Sequence, residues 1–165
     1  KNVDWSKTKA YALGLNGIYI NRKGREKMGI VDSGEAAEKI KNEIAKGLEA
    51  LIDPKTEERV VRKVYHSSQI YSGPYLKNAP DLVVGYLDGF RTSWQTAMGA
   101  APDNLFEDNI KKWSGDHLVD PVLVPGFFLS NKLFQLDNPS IMDIAPTILN
   151  ELGIKKSSRF DGKIL

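Results

Sequence analysis

Asp81-Leu-Val-Val-Gly-Tyr86, an apolar run enclosed by Pro80 and Gly89, decides the fold class. A short β-branched stretch closed by turn residues at both ends suits a buried strand. Upstream, Val60 to Tyr65 interleaves β-branched residues with Arg62 and Lys63, the pattern of a strand with one wet face. Earlier still, Ala37, Ile40, Ile44, Leu48 and Leu51 recur at spacings of three and four, which places them on one face of a helix. Ser33 opens that helix and Asp53-Pro54 ends it, because the residue before a proline is pushed out of the α region. Glu35 and Glu38 lie in its first turns, where negative charge complements the helix dipole.

At the start of the chain, Asn16-Gly17 separates Ala10–Leu15 from Ile18–Asn21 and predicts a two-residue hairpin turn, since both residues tolerate positive φ. The charged residues around Gly24, Arg22 to Lys27, read as a solvated loop. Downstream, Phe90–Trp94 and Gly126-Phe-Phe-Leu-Ser130 are further strand candidates, with a loop over Gly99–Asp103. Ser140 and Asp143 have the spacing of a capping box ahead of a stripe of Ile141, Ile144, Ile148, Leu149 and Leu152, and Gly153 suits the C-terminal cap. Pro146 lies too deep for a straight helix beginning at Ser140, so the helix is kinked or begins later. Strands interleaved with helices predict a mixed α/β fold, with residues 1–165 as a single domain.

With 41 % hydrophobic and 27 % charged residues, the 165-residue chain is too apolar for a disordered tail. A net charge of +2 sets up no strong field toward nucleic acid or an anionic membrane. No apolar run approaches the roughly 20 residues that span a bilayer, so no transmembrane segment is expected. The absence of cysteine excludes disulfides, a thiolate nucleophile and Cys-ligated zinc. With only His66 and His117, a self-contained His-rich metal site is not expected.

Trp113-Ser-Gly-Asp-His117-Leu-Val-Asp120-Pro-Val-Leu-Val-Pro125 does not read like packing. It gathers Asp116, His117 and Asp120 in a Gly/Pro-bounded loop, where an imidazole can ligate zinc and a carboxylate can orient the ring. The competing reading is a surface loop with an ordinary histidine. His66 ends its strand and reads as an exposed polar residue, and Asp81, ahead of its strand, as structural. Ser114, Ser130 and Ser140 sit in no nucleophile elbow, and no phosphate-binding loop is present. Tyr71-Ser-Gly-Pro-Tyr75 and Gly89-Phe-Arg-Thr-Ser-Trp94 mix aromatic and polar groups. They would line a pocket, with Arg91 on a phosphate and Tyr75 or Trp94 stacking on a base, or else anchor loops onto the sheet.

Five motifs occur in one order: Thr8-Lys-Ala-Tyr-Ala-Leu-Gly-Leu-Asn-Gly-Ile-Tyr-Ile-Asn21, Tyr71–Tyr75, Ala79-Pro-Asp-Leu-Val-Val-Gly-Tyr86, Trp113–His117 and Asp143-Ile-Ala-Pro-Thr-Ile-Leu149. Together with Asp161-Gly-Lys-Ile-Leu165, that order resembles the C-terminal portion of type I phosphodiesterase/nucleotide pyrophosphatase proteins, in the alkaline phosphatase superfamily. The resemblance runs from about Trp5 to Leu165 and implies the C-terminal part of an alkaline-phosphatase-like α/β fold. In that family two divalent metal ions, usually zinc, serve a Thr or Ser nucleophile that attacks phosphorus. Gly115-Asp116-His117 matches the setting of the family's last His ligand, which implies His117 as a metal ligand with Asp116 in support.

The nucleophile segment and the other Asp and His ligands have no counterpart in this sequence, which begins at Lys1. The resemblance therefore implies a piece lacking the N-terminal half of its parent, incomplete as a fold without it, with no catalytic nucleophile of its own. Alone it should bind metal weakly and turn nothing over, because one His cannot hold two zinc ions that each want about four ligands. The implied substrate of the parent is a small phosphodiester or nucleotide. A phosphatase, phosphomutase or sulfatase on the same core, or a non-catalytic protein-interaction module, is the alternative. Family members are often extracytoplasmic, and the residues themselves leave the compartment open.

Overall fold

The computed structural model describes residues 3–100, 102–112, 118–134, 138–154 and 160–165. The chain divides into two units, Lys1–Pro125 and Gly126–Leu165. Among the described residues the architecture is mixed α/β, with a four-stranded antiparallel sheet and four helices.

In the first unit, β1 (Ala10–Leu13) pairs with β2 (Gly17–Ile20) from Ala10↔Ile20 to Leu13↔Gly17. The hairpin forms where the sequence places it, but its loop is Gly14–Asn16 and Gly17 already belongs to the ladder. Gly14 supplies the left-handed conformation at φ 77°. Asn16 closes the loop, and its side chain reaches beyond the hairpin: Nδ2 donates to the carbonyls of Val84 at 2.9 Å and Leu118 at 3.1 Å.

The amphipathic helix α1 (Glu35–Glu49) begins after Gly34, which has no capping side chain, so Ser33 is not its cap. It ends at Glu49, ahead of Asp53-Pro54, where the chain turns back and the Val60 amide donates to the Leu51 carbonyl. β3 (Val61–His66) runs into the single-turn helix α2 (Ser67–Ile70) and pairs antiparallel with β4 (Leu82–Tyr86). The sheet order is β1-β2-β4-β3. A bulge between Val61 and Lys63 shifts the register of β3. It lets Val61 and Val64, three residues apart, both reach the core.

That core joins Val60, Val61, Val64, Leu82 and Val84 to Ile44, Leu48 and Leu51 of α1, and a second cluster holds Ile20, Val31 and Ala37. Ile44 packs against both. Each fully buried aliphatic side chain contributes about 1.5–3 kcal/mol relative to exposure.

The loop after β2 is less solvated than its composition predicts. Asp81, buried at the start of β4, accepts from the Ile20 amide at 2.7 Å and from Arg25 Nη2 at 2.6 Å, with Arg22 Nη2 at 3.4 Å. Arg25 Nε also meets Glu26 Oε1 at 2.5 Å. Asp81 is thus structural, as its place ahead of the strand predicts. Phe90–Trp94 is not a strand: the segment is irregular and leads into the single-turn helix α3 (Trp94–Ala97), capped by Ser93.

In the second unit, Gly126–Ser130 forms no strand, and Phe127 and Leu129 are 91 % and 84 % exposed. A 3₁₀ turn over Ile141–Asp143 leads into α4 (Ile144–Glu151), so the helix begins later than Ser140 and Pro146 falls in its first turn. The capping box is present, with the Ser140 amide donating to Asp143 Oδ2 at 2.8 Å. Asp143 Oδ1 accepts from the Lys163 amide at 2.8 Å, and Thr147 Oγ1 from the Leu165 amide at 3.0 Å. The end of the chain is thereby tied to the start of α4.

Candidate functional site

The chemistry-bearing elements of the first unit meet at the C-terminal end of β4. There β2 has stopped pairing with β4, its last partners being Gly17↔Val83 and Ile18↔Leu82. The backbone groups beyond that point need other partners, because buried amides and carbonyls are costly when unpaired. Asn16 supplies the first: its carbonyl accepts from the Val84 amide at 2.9 Å while its Nδ2 donates to the Val84 carbonyl. The segment after His117 supplies the next, with Val119 bridging Tyr86 in parallel and the Asp120 amide donating to the Tyr86 carbonyl at 2.8 Å.

Asp120 is 0 % exposed. Its Oδ2 accepts from the Tyr65 hydroxyl at 2.9 Å and from Arg62 Nη1 at 3.3 Å. Its Oδ1 caps the 3₁₀ turn Pro121–Leu123 through the Val122 amide at 3.0 Å. Gly85 lies directly beneath: a Cβ there would stand closer than 3.0 Å to Asp120 Oδ2. Burial, then the hydrogen bond to Asp120 and its negative charge, raise the Tyr65 hydroxyl above its ordinary pKa, with Arg62 opposing. Of the carboxylates that the sequence gathers around His117, Asp120 has its oxygens committed to Tyr65, Arg62 and the Val122 amide. Asp-Pro at a helix start is itself a capping signature that could have indicated this.

Beside this junction lies a groove of about 700 Å³, bordered by Asn16, Tyr86, Arg91, Thr92, Trp94 and Phe106 among others. Arg91 stacks on the Trp94 ring with Cζ 4.4 Å from the centroid. Burial pushes the Tyr86 hydroxyl up in pKa, while a hydrogen bond with Thr92 pulls the other way. Of the three expected substrate-binding residues, the structure brings Arg91 and Trp94 to the groove. Tyr75 does not line it and is 77 % exposed.

His117 and Asp116 lie outside the described residues, as do Trp113, Ser114 and Gly115. Among the described residues, no group of three or more His, Asp or Glu side chains is arranged to hold a metal ion. The described donor set does not by itself fit a two-metal centre. His66 ends its strand as expected but is half-buried where the sequence predicts an exposed residue, with Nδ1 3.9 Å from Glu38 Oε2. Ser130 and Ser140 each accept a hydrogen bond from the amide two residues on, Lys132 and Met142. No helix among the described residues is long and apolar enough to cross a membrane.

Sequence reasoning missed Asn16, Tyr65 and Arg62. Asn16 carried a strong turn signal that masked its tertiary bonds, and Tyr65 and Arg62 read as ordinary residues of a half-exposed strand. In comparisons with known proteins, no protein family, curated protein or solved structure matches the chain.

Proposed function

We propose that this chain is the C-terminal part of a metal-dependent phosphodiesterase or nucleotide pyrophosphatase, and that it contributes His117 as a metal ligand. The observation that carries the proposal is the fixed order of five motifs, with Gly115-Asp116-His117 fourth among them. Their packing supports it, since motifs far apart in sequence touch. Asn16 of the first hydrogen-bonds both Val84 of the third and Leu118, the residue that follows His117. The groove beside them, with the Arg91 guanidinium over Trp94, suits an anionic ester carrying a flat group. In the complete enzyme the metals would stabilise charge on the transferring phosphoryl group; this chain's part is to hold one ligand and border the substrate.

The test compares the complete parent chain with its His117→Ala variant in zinc retained after dialysis and in turnover of a generic aryl phosphodiester. Loss of both in the variant is the expected result; unchanged zinc and rate would overturn the proposal. For the 165-residue chain alone, elemental analysis should find no stoichiometric zinc and the diester assay no turnover. A stoichiometric zinc lost on His117→Ala would show instead that these residues assemble a site by themselves.

A non-catalytic interaction module is the second reading, favoured by the exposure of Phe127, Leu129 and Leu133 in the second unit. It predicts a complete chain whose turnover is indifferent to His117.

A further inference from the structure

We infer that Asn16-Gly17 is a modification site: a spontaneous deamidation site that the fold holds closed, and whose conversion irreversibly frees the junction at the end of β4. The inference stands apart from the metal proposal. The sequence holds one asparagine followed by glycine. That pair is chemically the weakest setting for an asparagine, because a glycine has no Cβ to keep its backbone nitrogen away from the preceding side chain. Local pattern assigns both residues to a positive-φ turn, yet the positive φ of this loop belongs to Gly14. Gly17 answers to packing instead: a Cβ there would stand 3.1 Å from Pro80 Cβ and 3.3 Å from the Leu13 carbonyl oxygen, tighter than ordinary contact. Asn16 answers to hydrogen bonding. Its main-chain carbonyl accepts from the Val84 amide at 2.9 Å, and its Nδ2 donates to the Val84 and Leu118 carbonyls. Each half of the labile pair is therefore held in the sequence by a tertiary contact.

The same contacts restrain the reaction. In deamidation the Gly17 nitrogen attacks Asn16 Cγ. The new C–N bond closes a cyclic imide as the Cγ–Nδ2 bond breaks, and the Gly17 amide proton leaves with Nδ2 as ammonia. Water then opens the imide at either carbonyl, giving aspartate or, with an extra methylene in the main chain, isoaspartate. In the fold, Nδ2 is tied to two carbonyls and Gly17 is paired with Leu13 and Val83, so ring closure waits for a local opening. Once converted, residue 16 cannot recover its amide. A carboxylate has no hydrogen to donate. It sets negative charge against the Val84 and Leu118 carbonyl oxygens, where Asn16 Oδ1 is already buried with no donor among the described residues. Leu118 loses its donor, and isoaspartate also displaces the carbonyl that receives the Val84 amide. Asn16 and Gly17 border the groove, so its edge changes with them.

The test incubates the folded 165-residue chain, the same chain in urea, and a synthetic peptide of residues 10–21 in one mildly alkaline buffer. Mass spectrometry and isoaspartate-specific enzymatic methylation follow residue 16, and slow amide exchange in α1 marks the folded sample. Conversion should run alike in the peptide and in urea, and at least about tenfold slower in the folded chain, the scale of two hydrogen bonds that must open first. Equal rates in the folded chain and the peptide would overturn the guard, and an inert peptide would overturn the site. In urea, Gly17→Ala should slow the conversion; an unchanged rate would overturn the proposed chemistry. For the consequence, Asn16→Asp supplies the carboxylate from the start. Amide exchange at Val84 and over residues 118–122 should then rise about tenfold while α1 keeps its protection. Unchanged exchange at both places overturns the release. Should Asn16→Asp fail to fold, the converted fraction of the aged chain, separated by anion exchange, gives the same reading.

Discussion

Gly85→Ala is the most demanding perturbation of this structure. The added methyl would stand under 3.0 Å from Asp120 Oδ2 and 3.1 Å from the Lys63 carbonyl, with ordinary contact beginning near 3.4 Å. The backbone oxygen is fixed by the sheet, so the carboxylate has to move. Moving it stretches the 2.9 Å bond from Tyr65 and the 3.3 Å contact with Arg62 while the side chain stays out of water. Overpacking of this kind costs about 1–3 kcal/mol. A weakened charge-assisted hydrogen bond adds about 1.5–3 kcal/mol. Because Arg62 is partly exposed and can turn to water, the total should lie near 2–5 kcal/mol, a drop in Tm of about 5–15 °C for a chain of this size.

Urea unfolding followed by tryptophan fluorescence is the suitable assay, since Trp5, Trp94 and Trp113 all lie in the first unit. A double-mutant cycle with Asp120→Ala isolates the cause. Once the carboxylate is gone, Gly85→Ala should cost less than about 1 kcal/mol, leaving a coupling of at least about 1 kcal/mol. Two variants that add to within about 0.5 kcal/mol, or a Gly85→Ala protein as stable as the parent, would refute the reasoning.

Other consequences are equally open to measurement. Asp143→Ala removes the acceptor for the Ser140 and Lys163 amides. It should cost about 1–2 kcal/mol, the scale of a lost cap, and should accelerate exchange at 160–165 together with 140–147; acceleration of neither would contradict the proposed tie. The hydroxyls of Tyr11, Tyr65 and Tyr86 are all raised above the ordinary value of 10.0, each with burial as the leading cause. A raised pKa favours the protonated folded form, so this stability is fully present below about pH 10 and is lost as pH rises through the folded values. Ultraviolet titration should therefore show a class of tyrosines ionising later than free tyrosine. Tyr65→Phe should shrink that class, and ionisation of all six tyrosines together at their free value would exclude it.

Much of the first unit was legible from local pattern. The three- and four-residue spacing from Ala37 to Leu48 can be buried in one way only, as the inner face of a helix. Asp81–Tyr86 and Val60–Tyr65 likewise have the composition and turn boundaries of paired strands, and they pair with each other. Gly126–Ser130 shows the limit of that logic: an apolar run indicates a strand only when a neighbour supplies hydrogen bonds, and among the described residues none does. Phe90–Trp94 fails similarly, its β-prone residues stacking and bordering a groove instead of joining a ladder. At the candidate site, the sequence led to His117 and Asp116 by motif and to Arg91 and Trp94 by residue type. It did not lead to Asn16, Tyr65 or Arg62, which carry no motif.

What the sequence by itself determined is the set of elements whose causes are local: the hairpin, the amphipathic helix, the two valine-rich strands and the capping box at Ser140. Their signals are periodicity, turn chemistry and capping, all of which act over a few residues. What only the tertiary structure decided is which polar groups are buried together. Asp120 joins Tyr65 and Arg62 across 55 and 58 positions, and Asp81 joins Arg25 across 56. A carboxylate stays charged in the interior only when donors converge on it from separate segments, and that convergence is a property of the packed chain, not of any stretch of it.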